Sequence, residues 1–411
     1  MPCIIAGDVP RESAPMIAAD TLFTNARLPD GRTVAIAVTN GRIAAIGAET
    51  PAATTVDLAH ALVVPGFVEG HIHLDTSFYG DAWQPHKPNP NGFDVHERVA
   101  FQTENLRRAA PMAERARHQF ELCIGNGATL MRSHVMIDNS VGLSHLETIL
   151  AMREEYRDRI DLQLVAFPQS GILLSPGTAD LLDEAIGLGC DLVGGLDPAS
   201  FDRDVNGHLD VVFGIAKRRG VGIDIHLHDG GQLGIFEIEE IAARTAALGM
   251  HGKVAISHAY ALGAVPADTL KATADKLAAA GIAIMTNAPG ASPFPPVLAL
   301  RRAGVTVFSG SDNIRDSWWP YGDGDMLSRA MLIGYRSGFF TDADLVVAFD
   351  VVTAAGARAL GHDPYGLEVG APADFVTLDA QHIPEAVVAV PRNRKVFKAG
   401  RLVAENGKLL R

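Results

Sequence analysis

The chain has 411 residues, 47% hydrophobic and 20% charged, which is enough apolar material for a large packed core and excludes disorder. Its formal net charge of −13 argues against a nucleic-acid or anionic-membrane partner, since either favours a basic surface. Three scattered cysteines without a Cys-x-x-Cys, no apolar run of ~18 residues and no secretory signal point to a soluble, cytoplasmic protein with free thiols.

In chain order, residues 1–19 lack periodicity and read as a leader. From Asp20 the texture is β. Short alternating runs at 21–26, 33–38, 42–47, 56–58 and 62–64 include the hairpin signal Asn40-Gly41. The same texture returns at 373–379, 387–390 and 394–398, with a last hairpin over 400–407. Short strands at both ends cannot cover their own faces, so 20–64 and 364–411 are expected to pack together as one small β-sandwich.

Between them, over 65–363, apolar strands alternate with helices. Strands read at 128–135, 160–167, 190–195, 221–226, 253–258, 282–287 and 305–310. Helices read at 95–125, 144–157, 179–187, 209–219, 237–248, 267–280 and 296–303. With the strand entering at Pro65, this makes eight β/α units, a parallel sheet covered on both faces. Eight units at this length favour an α/β fold of the (β/α)8 barrel type over a doubly wound sheet. No Gly-x-Gly-x-x-Gly follows the first strand, which weighs further against a dinucleotide fold.

In such a barrel the chemistry sits at the C-terminal ends of the strands. His71 and His73, two apart on a strand, face the same way and can grip one ion. Alone, a His-x-His is more often a plain polar strand end. Its company alters that reading. Strand two ends near His134, strand three at Gln169, strand four at Asp197, strand five at His226, His228 and Asp229, strand six at His258, and strand eight at Asp312-Asn313. Convergence of these groups on one rim points to a metal site.

These residues carry a family resemblance. Pro65-Gly66-Phe67-Val68 followed by His71-x-His73, a His on strands five and six, and an Asp on strand eight resemble the amidohydrolase superfamily. So does Gly366-Leu367-Glu368-Val369-Gly370-Ala371-Pro372-Ala373-Asp374 near the end. Within it the chain is similar to the cytosine deaminase branch, which includes the N-isopropylammelide isopropylaminohydrolases. His71-Ile72-His73-Leu74-Asp75-Thr76 is similar to the cytosine deaminases, while His226-Leu227-His228-Asp229 and Ser311-Asp312-Asn313-Ile314-Arg315-Asp316 look closer to the triazine enzymes. Two departures stand out: Asp229 replaces a cytosine-deaminase glutamate, and Thr76 replaces a triazine-enzyme lysine.

The resemblance implies one divalent metal ion, Zn or Fe, held by His71, His73, His226 and Asp312, because no Lys ends strand four to bridge a second. Asp312 would also take the proton of an attacking water. His258 would orient that water, and Asp229 would shuttle a proton to the departing amine. Gln169, His228, Asn313 and Trp318 are the expected substrate contacts. Trp319 is weighed as a further wall, His134 as a weaker candidate, and the remaining histidines as ordinary loop or surface residues. The expected activity is hydrolysis of an exocyclic C–N bond of a small cyclic amidine. The expected partners are that heterocycle and further copies of the chain in a homo-oligomer. The alternatives are a cyclic-amide hydrolase on the same fold and a non-catalytic barrel stabilised by a metal.

Overall fold

A computed structural model describes residues 19–47, 50–88, 92 and 94–410. The expected leader lies outside these residues except for Ala19, which opens the first strand. Strands Ala19–Arg27, Thr33–Thr39, Arg42–Ile46, Ala52–Asp57 and Leu62–Pro65 join Phe375–Leu378, Arg394–Lys398, Arg401–Glu405 and Lys408–Leu409 in one nine-stranded sheet. Leu62–Pro65 runs antiparallel to Phe375–Leu378, which stitches the two ends of the chain together. The sheet folds over on itself: Ile43 N–H donates to Ala371 O at 2.9 Å, and Ala373 N–H donates to Gly41 O at 2.9 Å. Inside the fold Phe23 meets Phe375 and Phe397 edge-on at 5.0 and 5.2 Å, an arrangement favoured by the ring quadrupoles.

Two local expectations need correction. The stretch 387–390 is not a strand but the end of a helix, Ile383–Ala389, capped by His382 with a proline in its first turn. A short apolar run carries no period of its own, and burial of Ala386 and Val387 decides the outcome. The helix expected over 95–125 is two helices, Val95–Leu106 and Met112–Gly125, interrupted before Pro111.

The centre of the molecule is an eight-stranded parallel sheet. Its strands, one to eight, are Phe67–Ile72, Ala128–Met136, Asp161–Phe167, Leu192–Leu196, Gly222–Leu227, Val254–His258, Ala283–Met285 and Val307–Phe308. Strand one returns to the end of strand eight: Gly70 N–H donates to Ser309 O at 3.1 Å and Asp312 N–H to His71 O at 2.7 Å. Two glycines make this seam possible. A Cβ on Gly310 would lie 2.4 Å from the His71 nitrogen, and one on Gly70 would lie 2.5 Å from the Ser309 carbonyl oxygen. Bare backbones therefore lie edge to edge where His71 and Asp312 must meet.

The terminal sheet also braces this seam. Arg394 grips Asp325 through two hydrogen bonds of 2.8 and 2.9 Å, both side chains buried. Asp325 in turn caps the helix Met326–Ser337 that follows strand eight. Among the described residues no helix is long and apolar enough to cross a membrane.

Candidate active site

The alternation of strand one puts His71 and His73 over the barrel mouth, strand five adds His226, and the turn after strand eight adds Asp312. All four are buried. The Oδ1 atom of Asp312 lies 3.5 Å from His71 Nε2 and 3.4 Å from His73 Nε2, and His226 Nε2 lies 3.3 Å from His73 Nε2. A tetrahedral cation with bonds of ~2.0–2.1 Å holds its ligands roughly 3.4 Å apart, so the spacing suits one ion. The four ligand atoms all lie within 4.8 Å of one another. His71 Nε2 has no hydrogen-bond partner, which is how a group kept for a cation looks. The donor set, three imidazoles and one carboxylate, fits Zn or Fe.

Electrostatics favour the ligating states. Burial holds His71 below the usual imidazole range and His226 well below it, so both present lone pairs. Burial also opposes charge on His73, but the hydrogen bond to Asp312 outweighs it and raises the ring. Burial raises Asp312, and the surrounding imidazoles, His258 foremost, overcome it and hold the carboxyl well below its ordinary range.

The ligands are themselves held. His71 Nδ1 is 2.9 Å from Ser257 Oγ, whose hydroxyl donates to Asp224 Oδ1 at 2.7 Å, while Arg132 donates to Asp224 Oδ2 at 2.8 Å. Because the Ser257 proton goes to Asp224, its oxygen accepts from His71 Nδ1–H, and the Nε2 lone pair turns to the site. Asn287, at the end of strand seven, donates to Asp312 Oδ2 at 2.8 Å and leaves Oδ1 to the histidines. Asp312, His258 and Asp197 all have left-handed backbones, with φ of 59°, 72° and 35°, strain that clusters where strands end in function.

His258 stands 4.0 Å from Asp312 Oδ2, and neither of its ring nitrogens has a hydrogen-bond partner. His134 is fully buried and lies against His71 with ring centroids 3.9 Å apart, yet it lines neither of the two cavities at the barrel mouth. It forms a second metal-capable group with His71 and Asp224, but Arg132 already matches the Asp224 charge.

An inner pocket of about 20 Å3 is lined by His73, His226, His258 and Asp312, together with Thr76, Gln102, Gln169, His228, Asn313 and Trp318. That volume admits about one water. The Trp318 indole N–H donates to Gln102 at 2.7 Å across it. Through His228, Asp312, Asn313 and Trp318 it meets an outer cavity of about 870 Å3, which Trp319 also lines.

Asp229 is the one expected site residue that the fold does not bring in. Its Oδ2 accepts from Ser200 N–H at 3.1 Å, and it lines neither cavity. If His226 and His228 share the inward face, the residue after them turns away. His228 stands at the pocket wall instead. Asp197 accepts both its backbone N–H at 2.6 Å and its ring Nδ1–H at 2.7 Å. Burial lowers His228, but Asp197 outweighs it and leaves the ring raised.

Several residues that brace or line the site escaped the sequence reading. Asp224 was legible as a charge within an apolar strand, two residues before His226. Gln102, on a helix far from any strand end, gave no signal. Among the histidines set aside, His208 is buried against Asp202 at 2.7 Å, and His145 pairs with buried Asp75 at 2.8 Å.

The amidohydrolase family profile matches residues 54–404. This chain belongs to the amidohydrolase family. It is 34% identical over 400 residues to N-isopropylammelide isopropyl amidohydrolase of Pseudomonas sp. (strain ADP), covering 94% of this chain and 98% of that one. The crystal structure of N-isopropylammelide isopropylaminohydrolase from Burkholderia multivorans ATCC 17616 superposes with a TM-score of 0.90 at 41% identity, covering 95% and 99% of the two chains. That of 5-methylcytosine deaminase from Klebsiella pneumoniae, liganded with 5-fluorocytosine, gives 0.82 at 29% identity over 93% and 97%. The barrel and the terminal sheet are thus those of an amidohydrolase acting on C–N bonds, and the histidine–aspartate cluster at the barrel mouth can hold a metal ion.

Proposed function

We propose that this amidohydrolase cleaves an exocyclic C–N bond of a flat cyclic amidine, of pyrimidine or triazine type, removing an amine from a ring carbon. Overall, water supplies the oxygen of a new ring carbonyl, the C–N bond breaks, and the nitrogen leaves with the proton it needs as ammonia or a free amine. The observation that carries the reading is the set of four ligand atoms at cation spacing beside a pocket walled by Trp318, Gln169 and His228. The names of the relatives, an N-isopropylammelide hydrolase and a 5-methylcytosine deaminase, support it.

His71, His73, His226 and Asp312 would hold one divalent cation, Zn or Fe. Bound there, it supplies Lewis acidity that brings water towards ionisation near neutral pH. Asp312, oriented by Asn287, takes the proton of the attacking water. His258, 4.0 Å from Asp312, orients that water. His228 hands a proton to the departing nitrogen. Its Nδ1 is committed to Asp197, so exchange runs through Nε2. Gln169 offers both a donor and an acceptor to an O=C–N–H ring edge, Asn313 a further polar contact, and Trp318 a stacking face. With Asp229 turned away, the proton path of this chain differs from one that uses a glutamate at that position.

The test is a screen of the metal-loaded enzyme against amino-pyrimidines and amino-triazines, scoring amine or ammonia release. Release from at least one ring, lost on chelation and restored by metal, is expected. Ring opening of a cyclic amide without amine release would refute the proposal.

A further inference from the structure

The inner pocket and the outer cavity differ more than fortyfold in volume and share four residues: His228, Asp312, Asn313 and Trp318. An inner space of about 20 Å3 takes the attacking water but no ring. The ring must therefore lie at the shared rim. There the His228 and Trp318 rings are nearly parallel, at 21°, with centroids 6.4 Å apart. Beyond that rim the outer cavity, at about 870 Å3, falls in the roughly 300–1,000 Å3 range of pockets that bury a drug-sized ligand. A single six-membered ring leaves most of it empty.

The lining indicates what fills it. Tyr260, Ala288, Pro289, Trp319, Met331 and Leu332 give an apolar and aromatic wall. Its three cations are already bonded within the protein. Arg329 donates to Asn287 O and Ser311 O, Arg336 to Pro289 O and Ser292 O, and Arg392 pairs with Asp323 and Asp325. The donors of all three are thus committed to protein acceptors, those of Arg392 to carboxylates and those of Arg329 and Arg336 to backbone carbonyls. In the proposed reaction Asp312 and His228 handle the protons, and both line the shared rim, so the substituent that enters the outer cavity most directly is one on the leaving nitrogen.

We propose that the leaving amine carries an apolar group of cycloalkyl or aryl size, seated in the outer cavity. This rests on the amine-releasing function above. The test measures kcat/KM of the metal-loaded enzyme for dihydroxytriazines bearing amino, isopropylamino, cyclohexylamino or benzylamino at one carbon. A bicyclic heterocycle with a free amino group completes the set. From isopropylamino to benzylamino, kcat/KM is expected to rise at least about tenfold. Leu332→Trp, which narrows the cavity, is expected to lower the benzylamino-to-isopropylamino ratio by a similar factor. A flat or falling series, with amine still released, overturns this inference and leaves the function standing. Faster turnover of the bicyclic amine than of the benzylamino compound places the bulk on the ring and also overturns it. No release from any compound overturns both.

Discussion

Glu237→Gln removes a proton equilibrium close to the site while keeping the shape of the side chain. Glu237 is fully buried on the helix Gly231–Ala247. Its Oε1 accepts from Ala199 N–H at 2.7 Å, Oε2 is buried without a donor, and Asp229 lies beside it. Burial first, and Asp229 next, push its pKa from 4.5 up to about 9. At neutral pH the folded chain therefore keeps a proton that the unfolded chain releases. Below the unfolded value both states carry it and folding loses nothing. As pH rises from there towards 9, ionisation favours the unfolded chain by about 1.4 kcal/mol per unit, on the order of 6 kcal/mol across the window. Glutamine cannot ionise, yet it still accepts from Ala199 and donates towards Asp229. Urea unfolding followed by circular dichroism, at fixed metal, should find wild type and variant within about 1 kcal/mol at pH 5. At pH 8 the variant should be the more stable by several kcal/mol. If both lose stability in parallel between these pH values, the buried neutral acid is not there.

Three further outcomes follow from the site. His71→Ala, His73→Ala and His226→Ala should each lower metal content and abolish amine release; full occupancy by elemental analysis in an active variant would remove that residue from the ligand set. Ser257→Ala cuts the link between His71 and Asp224 and should weaken metal affinity about 10- to 100-fold, read by competition with a chelator, and unchanged affinity would show that the tautomer needs no such support. His228→Gln and His258→Asn should each lower kcat by at least ~10² with metal content near normal, whereas near-normal kcat would withdraw the proton-handling or water-orienting role.

Much of this protein was legible because its signals are local. A two-residue period puts His71 and His73 on one face, and that parity needs no partner strand to be read. Carried one residue further, the same parity turns Asp229 away from the face of His226 and His228, a step passed over when the family resemblance made it the proton shuttle. The strand–helix alternation gave the barrel, and the β texture at both ends gave the sheet that joins them. Where a run is short and apolar, as at 387–390, sequence has no period to offer, and packing against neighbouring helices made it helical. Other features depended on closure. Glycines 70 and 310 allow strand one to meet the end of strand eight, and only that contact sets the 3.5 Å between His71 and Asp312. The bonds from Ser257 to Asp224, Asn287 to Asp312 and Gln102 to Trp318 span from 25 to 216 positions of chain. A sequence orders such residues but carries no distance between them. That distance is set when backbones, glycines and buried charges must all be satisfied at once in one packed interior.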